Sequence, residues 1–154
     1  MTLYAPAPTA DRLDAPHLRG VFECRTYRRG VLVDVWAEPN LIVAGARDAL
    51  ARLLAGDAGV AAITHVALGT SSTPAAPGDT AIAGAVLVRV GPPQYPEPGA
   101  VRFSWQIDEA TADGMTVWEF GLLTGGGTLF ARKVRTRAIE KDRLALAGDW
   151  TIYF

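Results

Sequence analysis

Trp118-Glu119-Phe120-Gly121-Leu122-Leu123-Thr124, then Gly125-Gly126-Gly127, then Thr128-Leu129-Phe130-Ala131-Arg132, spells a strand, a turn and a second strand in residue types alone. Aromatic, β-branched and aliphatic residues favour a pleated, half-buried surface, and glycine is the residue that tolerates the positive φ of a tight reversal. A three-glycine loop predicts a hairpin register: Thr124 opposite Thr128, Leu122 opposite Phe130, Phe120 opposite Arg132 and Trp118 opposite Val134. Glu119 then meets Lys133 on the reverse face, an opposite-charge pair worth about 0.2 to 1 kcal/mol. In that register Trp118, Phe120 and Leu122 form an aromatic core face, on which Arg132 is the awkward residue. Either its stem snorkels outward or an acid meets it.

Working outward, Leu144 to Phe154 is a last strand that aligns Trp150, Ile152 and Phe154 on one side. Phe103, Trp105 and Ile107 alternate with Arg102, Ser104, Gln106 and Asp108, and Asp113-Gly114 marks the next turn. Ile63 to Gly69 and Val86 to Val90 read as strands. Between them residues 70–85 are a long loop or contact segment of Thr, Ser, Ala, Pro and Gly, and the Pro-rich 91–99 is incompatible with a central strand. Val21 to Tyr27 and Val31 to Trp36 flank Arg28-Arg29-Gly30 as a short hairpin, and Pro39 is read as ending the sheet there. Leu41 to Ala55 carries Val43, Ala46, Leu50, Leu53 and Leu54 at helical spacing, with Gly56 as a stop signal. Residues 1–19, with Pro6, Pro8 and Pro16, read as an extended arm. The expectation is a mainly β chain: a 20–154 domain of seven or eight strands, an antiparallel β-sandwich or partly open barrel, with one amphipathic helix at about 41–55.

At 154 residues the chain is the size of one domain, with 15 basic residues against 16 acidic ones. No global field therefore draws it to nucleic acid or an anionic membrane. Its opening Met1 to Pro8 lacks the features of a signal peptide and no apolar run approaches membrane-span length, so a soluble protein made in a cytoplasm is expected. One cysteine, Cys24, and two distant histidines, His17 and His65, give no metal-ligand spacing.

The chemistry-bearing residues read mostly as structure. Ser71, Ser72 and Ser104 stand in no strand-to-helix elbow, Cys24 alternates with Phe22 and Thr26 as a buried thiol, and His65 is a strand histidine bonded to a neighbour. Asp108-Glu109 point to opposite faces while their strand continues, which makes them turn-flanking solvated acids rather than a glycosidase pair, and Glu38 near Asp34 is the other acid pair of that kind. The triple glycine is followed by a strand where a phosphate cradle needs a helix. Arg132, Lys133, Arg135, Arg137, Lys141 and Arg143 read as a solvated or protein-facing basic surface.

Several words of the chain carry a resemblance. They are Asn40-Leu41-Ile42-Val43 before the helix, Ile63-Thr64-His65-Val66-Ala67-Leu68-Gly69-Thr70, the Thr73 to Thr80 loop, Glu119 to Leu122, Gly127 to Arg132, and Trp150 to Phe154. In this order they resemble small structural proteins of tailed bacteriophages and prophages, of the tail-fibre, tail-collar and baseplate-associated kind. The resemblance spans about residues 40 to 154. It implies no catalytic residues, cofactor or metal, but an oligomeric tail or baseplate adaptor or fibre base, assembled in the bacterial host cytoplasm and partnered with copies of itself and other tail proteins. A carbohydrate- or receptor-binding module that meets a host surface glycan is the alternative, and a glycoside hydrolase a more distant one. Leu3, Tyr4, Trp36 and Tyr95 are the expected interface anchors, since aromatic and apolar residues dominate buried interface centres.

Overall fold

A computed structural model describes residues 18–154. The arm expected at residues 1–19, with Leu3 and Tyr4, lies almost wholly outside the described residues. Eight strands, β1 (Arg19–Arg28), β2 (Val31–Ile42), β3 (Ile63–Gly69), β4 (Val86–Arg89), β5 (Ala100–Ile107), β6 (Thr116–Thr124), β7 (Leu129–Glu140) and β8 (Leu144–Tyr153), and one helix, α1 (Ala44–Leu54), make up the fold. All strand pairs are antiparallel and form one sheet in the order β4-β3-β6-β7-β2-β1-β8-β5. Its two ends come together where the chain after β4 bonds β5: Gly91 N donates to Ser104 O at 2.8 Å, and Gln94 and Arg102 exchange N–H···O bonds of 2.9 and 2.8 Å. The partly open barrel, rather than the sandwich, is the form adopted, with α1 packed beside β7.

The interior is aromatic. Phe22 is fully buried, with its ring centroid 4.6 Å from those of Phe120 and Trp150, 5.3 Å from Trp36 and 5.7 Å from Trp105. Asn40 Oδ1 accepts the Trp150 indole N–H at 3.0 Å, so the largest buried side chain keeps its polar group satisfied. Gly148 lets two strands close around this cluster: a Cβ there would lie 2.0 Å from Glu23 O and 2.9 Å from the Trp105 ring. Because the first obstacle is backbone, Gly148→Ala is expected to cost about 1 to 3 kcal/mol, measured as a lower urea midpoint at unchanged slope. Wild-type stability in that variant would show that β1 and β8 are not held this closely.

Local signals explain most boundaries. Arg29 and Gly30 have φ of 50° and 76°, the two positive values of a type I′ reversal between β1 and β2. The C-terminus of α1 is a Schellman motif: Asp57 N donates to Arg52 O and Gly56 N to Leu53 O, with Gly56 at φ 75°. The start of the helix falls later than the periodicity suggests. Val43 N donates to Phe130 O at 3.1 Å, so Leu41 and Ile42 are still strand, paired with Arg132 and Ala131. Leu54, placed on the apolar face by spacing, is 92% exposed.

Two further expectations are corrected. Pro39 does not end the sheet, because β2 runs through it to Ile42. Alternation from Val43 aims the backbone of residue 39 toward β7, before the pairing with β7 begins at Leu41, so no ladder donor is missing there. The hairpin register holds only at the turn, where Thr124 N donates to Thr128 O and Leu123 faces Leu129. A bulge between Leu122 and Leu123 then sets Leu122 against Ala131, Gly121 against Arg132, Phe120 against Lys133 and Glu119 against Val134. The slip moves Arg132 off the aromatic face. A second irregularity places Arg135–Ala138 against Trp118 alone, leaving Trp118 half-buried and outside the core, while Val117 is fully buried within it.

Candidate assembly site

The slipped register creates a second buried layer on the outer face of β3, β6 and β7. Residues 70–85 lie across it. Ile82 packs there with Val43, Ala67 and Leu129, over Gly69 and Gly121, where a Cβ would stand 2.3 and 2.5 Å from Ile82. Glu119, fully buried, accepts the backbone N–H groups of Ser71 at 3.0 Å and Ala83 at 2.9 Å. Its other oxygen takes Arg132 Nε at 2.7 Å, and Arg132 goes on to Asp79 Oδ2 at 2.8 Å and the Thr73 carbonyl at 3.0 Å. Asp79 has a pKa below the usual carboxylate range, held there by the Ala76 N–H first and by the Arg132 guanidinium beside it. An acid does meet Arg132, but it is Glu119 on the loop face rather than one on the aromatic face. The predicted Glu119–Lys133 pair is absent; Lys133 instead pairs with Glu38 and donates to the Pro39 carbonyl at 3.3 Å.

The basic cluster is therefore not one solvated surface. Arg132 is 4% exposed and Lys141 1%. Lys141 Nζ donates to the carbonyls of Asp108 at 3.0 Å and Glu109 at 3.1 Å, tying the β7–β8 turn to the one after β5. Burial pushes its ammonium below the ordinary lysine pKa, against the opposing pull of Asp113, Asp108 and Glu109.

β2 is the unfinished strand. It pairs with β1 along its length, yet among the described residues it pairs with β7 only at Leu41 and Ile42. Farther along, side chains alone cross the opening: Lys133 reaches Glu38, and the Arg135 guanidinium lies 4.0 Å from the Trp36 ring centre. The distal half of β2 is apolar and open to solvent, with Val31 64%, Leu32 50%, Val33 54% and Val35 56% exposed. Unpaired N–H and C=O groups beside exposed valines make a template for another strand.

Of the expected anchors, Trp36 is half-buried at this opening, with one side against Phe22 and Arg135 over its ring. Tyr95 stands 76% exposed in the Pro-rich segment next to β5, away from the β2 edge in sheet order. Residue type singles out Trp36 in this region, and Val31, Leu32, Val33 and Val35 are not among the expected anchors. Their valine-rich run signals a strand, but which strand lacks a neighbour depends on the whole topology.

The chemistry-bearing residues are dispersed. Cys24 is buried, and burial first of all pushes its thiol up to about 12; such a group stays protonated and unreactive at neutral pH. His65 Nδ1 lies 2.7 Å from the Thr64 hydroxyl. Asp108 is exposed and accepts both the hydroxyl and the N–H of Thr111 at 2.7 Å, the hydroxyl bond leading the interactions that hold its pKa low. Ser104 donates to Asp149 Oδ1 at 2.5 Å on the outer face of β5 and β8, and Arg25 pairs there with both Glu23 and Asp149. That cluster contains no histidine to activate the serine. Trp105 and Trp150 lie inside the barrel, 3% and 0% exposed, which removes them from any surface stacking platform. Among the described residues no three of His, Cys, Asp and Glu stand close enough to hold a metal ion. No protein-family model, no curated protein and no solved structure matches this chain.

Proposed function

We propose that this protein is a structural component of a bacteriophage or prophage tail, an adaptor or fibre base that works by assembling with copies of itself and with other tail proteins. The tail assignment rests on the resemblance carried by Asn40 to Val43, Ile63 to Thr70, Thr73 to Thr80, Glu119 to Leu122, Gly127 to Arg132 and Trp150 to Phe154. The observation that carries the assembly reading is the distal half of β2, which among the described residues pairs only with β1 and has four large aliphatic residues each at least half exposed. Strand addition at such an edge gains main-chain hydrogen bonds and buries alternate side chains together.

Sedimentation and native mass measurements test this directly. The protein is expected to self-associate, and a Val33→Lys, Val35→Lys double substitution to shift it toward the monomer, because lysine on an edge opposes edge-to-edge pairing. A wild-type chain that remains monomeric at high micromolar concentration and binds no tail component would sink the proposal.

A further inference from the structure

We propose that the groove along the outer face of β8, between β1 and the seam of β4 with β5, is a binding site for a neutral saccharide. It holds about 850 Å³, within the roughly 300 to 1,000 Å³ typical of small-molecule sites. Strand register builds it. Arg25 and Tyr27 on β1 stand beside Ala147 and Ala145 on β8, and Gln106 on β5 stands beside Ala147 from the other side. Their chain neighbours Cys24, Thr26, Leu146, Trp105 and Ile107 are buried, so alternation turns Arg25, Tyr27, Ala145, Ala147 and Gln106 outward. Two alanines on a middle strand, with longer side chains on both flanks, leave a trough. The seam deepens it: Gly91 N bonds Ser104 O, but β4 itself pairs only with β3 among the described residues, and Leu87 forms part of the far wall.

The lining selects the ligand by elimination. Among the described residues that line the groove, Arg25 is the one cation and Asp108 the one anion. Arg25 already pairs with Glu23 and Asp149, so a phosphate or sulfate finds no excess of positive charge there. A wholly apolar ligand would strip water from Gln106, Asp108 and Arg25 without replacing the lost hydrogen bonds. An added strand has little edge to use, since β4 is four residues long. A sugar ring satisfies both kinds of surface. Its C–H face packs on the half-buried Tyr27 ring and the two alanines, because an aromatic side chain with a polar tip suits an amphipathic partner. Its neighbouring hydroxyls meet planar groups able to make two hydrogen bonds at once: the Gln106 amide, the Asp108 carboxylate and the Arg25 guanidinium. Asp108 is held ready by one oxygen, Oδ1, which accepts both the N–H and the hydroxyl of Thr111.

Amide NMR of the isotope-labelled full chain tests this, with glucose, galactose, mannose, N-acetylglucosamine, lactose and cellobiose each raised to high millimolar concentration. At least one of these sugars is expected to move the amide signals of Arg25, Tyr27, Gln106 and Ala145 to Ala147 along a saturable curve. Gln106→Ala, a change at an exposed side chain, should weaken that sugar about fivefold at an unchanged urea midpoint. Tyr27→Ala should weaken it about tenfold, and Tyr27→Phe, which keeps the ring, by no more than about twofold. No response to any of the six sugars overturns the proposal, as do signals that move only elsewhere on the molecule. Wild-type affinity in both alanine variants overturns it too, and so does binding of inorganic sulfate in place of the neutral sugars. Val31, Leu32, Val33 and Val35 contribute nothing to this groove, so loss of sugar binding and loss of self-association are separate results.

Discussion

Arg132→Ala is expected to lower folding stability by about 3 to 5 kcal/mol, the usual cost of removing one partner from a buried ion pair. The loss exceeds that of a surface pair because Glu119 is left fully buried with its cation gone, while Asp79 and the carbonyl of Thr73 lose their shared donor. The loop over residues 70–85 should loosen before the barrel does. Hydrogen exchange at Ser71 and Ala83, whose N–H groups point at Glu119, should therefore rise more than exchange at Phe22. Arg132→Lys is not expected to rescue it, since one ammonium cannot reproduce a guanidinium fork directed at three partners. The pH sense follows from Asp79. Its depressed pKa means that its contribution is present above the ordinary carboxylate value of about 3.9 and is lost as pH falls through the lower folded value. In Arg132→Ala that acid-dependent part shrinks. If denaturant melts show less than about 1 kcal/mol of loss, the network behaves as an exposed one and its buried description is wrong.

Phe22→Ala carries the second large effect, also about 3 to 5 kcal/mol. Phe22 sits among four aromatic rings at centroid distances of 4.6 to 5.7 Å, and the rigid barrel wall cannot collapse to fill the space the ring vacates. Trp118→Ala is the informative companion. Trp118 is half-buried opposite the Arg135–Ala138 irregularity, so its truncation should cost less than half as much, although tryptophan is the larger side chain. Equal losses in the two variants, measured by urea unfolding, would return Trp118 to the core and contradict the register.

How far the chain could be read without its fold differs from element to element. Turns were legible because they depend on neighbours in sequence: Gly30, Gly56 and Gly127 all carry the positive φ that glycine permits. The strand from Ile63 to Gly69 has the bounds that its residues suggest. The strand containing Pro39 was misread because a missing N–H matters only when a partner strand stands on that side. Trp118 was misread because one bulge displaces every pairing beyond it, and a bulge has no signature as local as a turn's. Arg132 reads as a residue whose stem snorkels outward or that an acid meets, and residue types alone do not choose between the two, because Asp79 is 53 residues away. The edge that β2 leaves unpaired among the described residues has no local signal at all, since exposure of a strand reports on its neighbours rather than on itself.

What the sequence determines by itself is the mainly β character of the chain, the one helix among the described residues, and the places where the backbone reverses. Those follow from propensity and φ preference, which act over a few residues. Closure of the sheet into a barrel, the covering of its outer face by residues 70–85 and the opening between β2 and β7 were decided only by tertiary structure. Each depends on which distant backbone groups find partners, and in a sheet ordered β4-β3-β6-β7-β2-β1-β8-β5 most neighbours come from far along the chain. Burial of Glu119 with Arg132 and exposure of Val31, Leu32, Val33 and Val35 are two results of that same partnering: where a segment covers the sheet even charges go inside, and where none of the described strands arrives even valines stay in water.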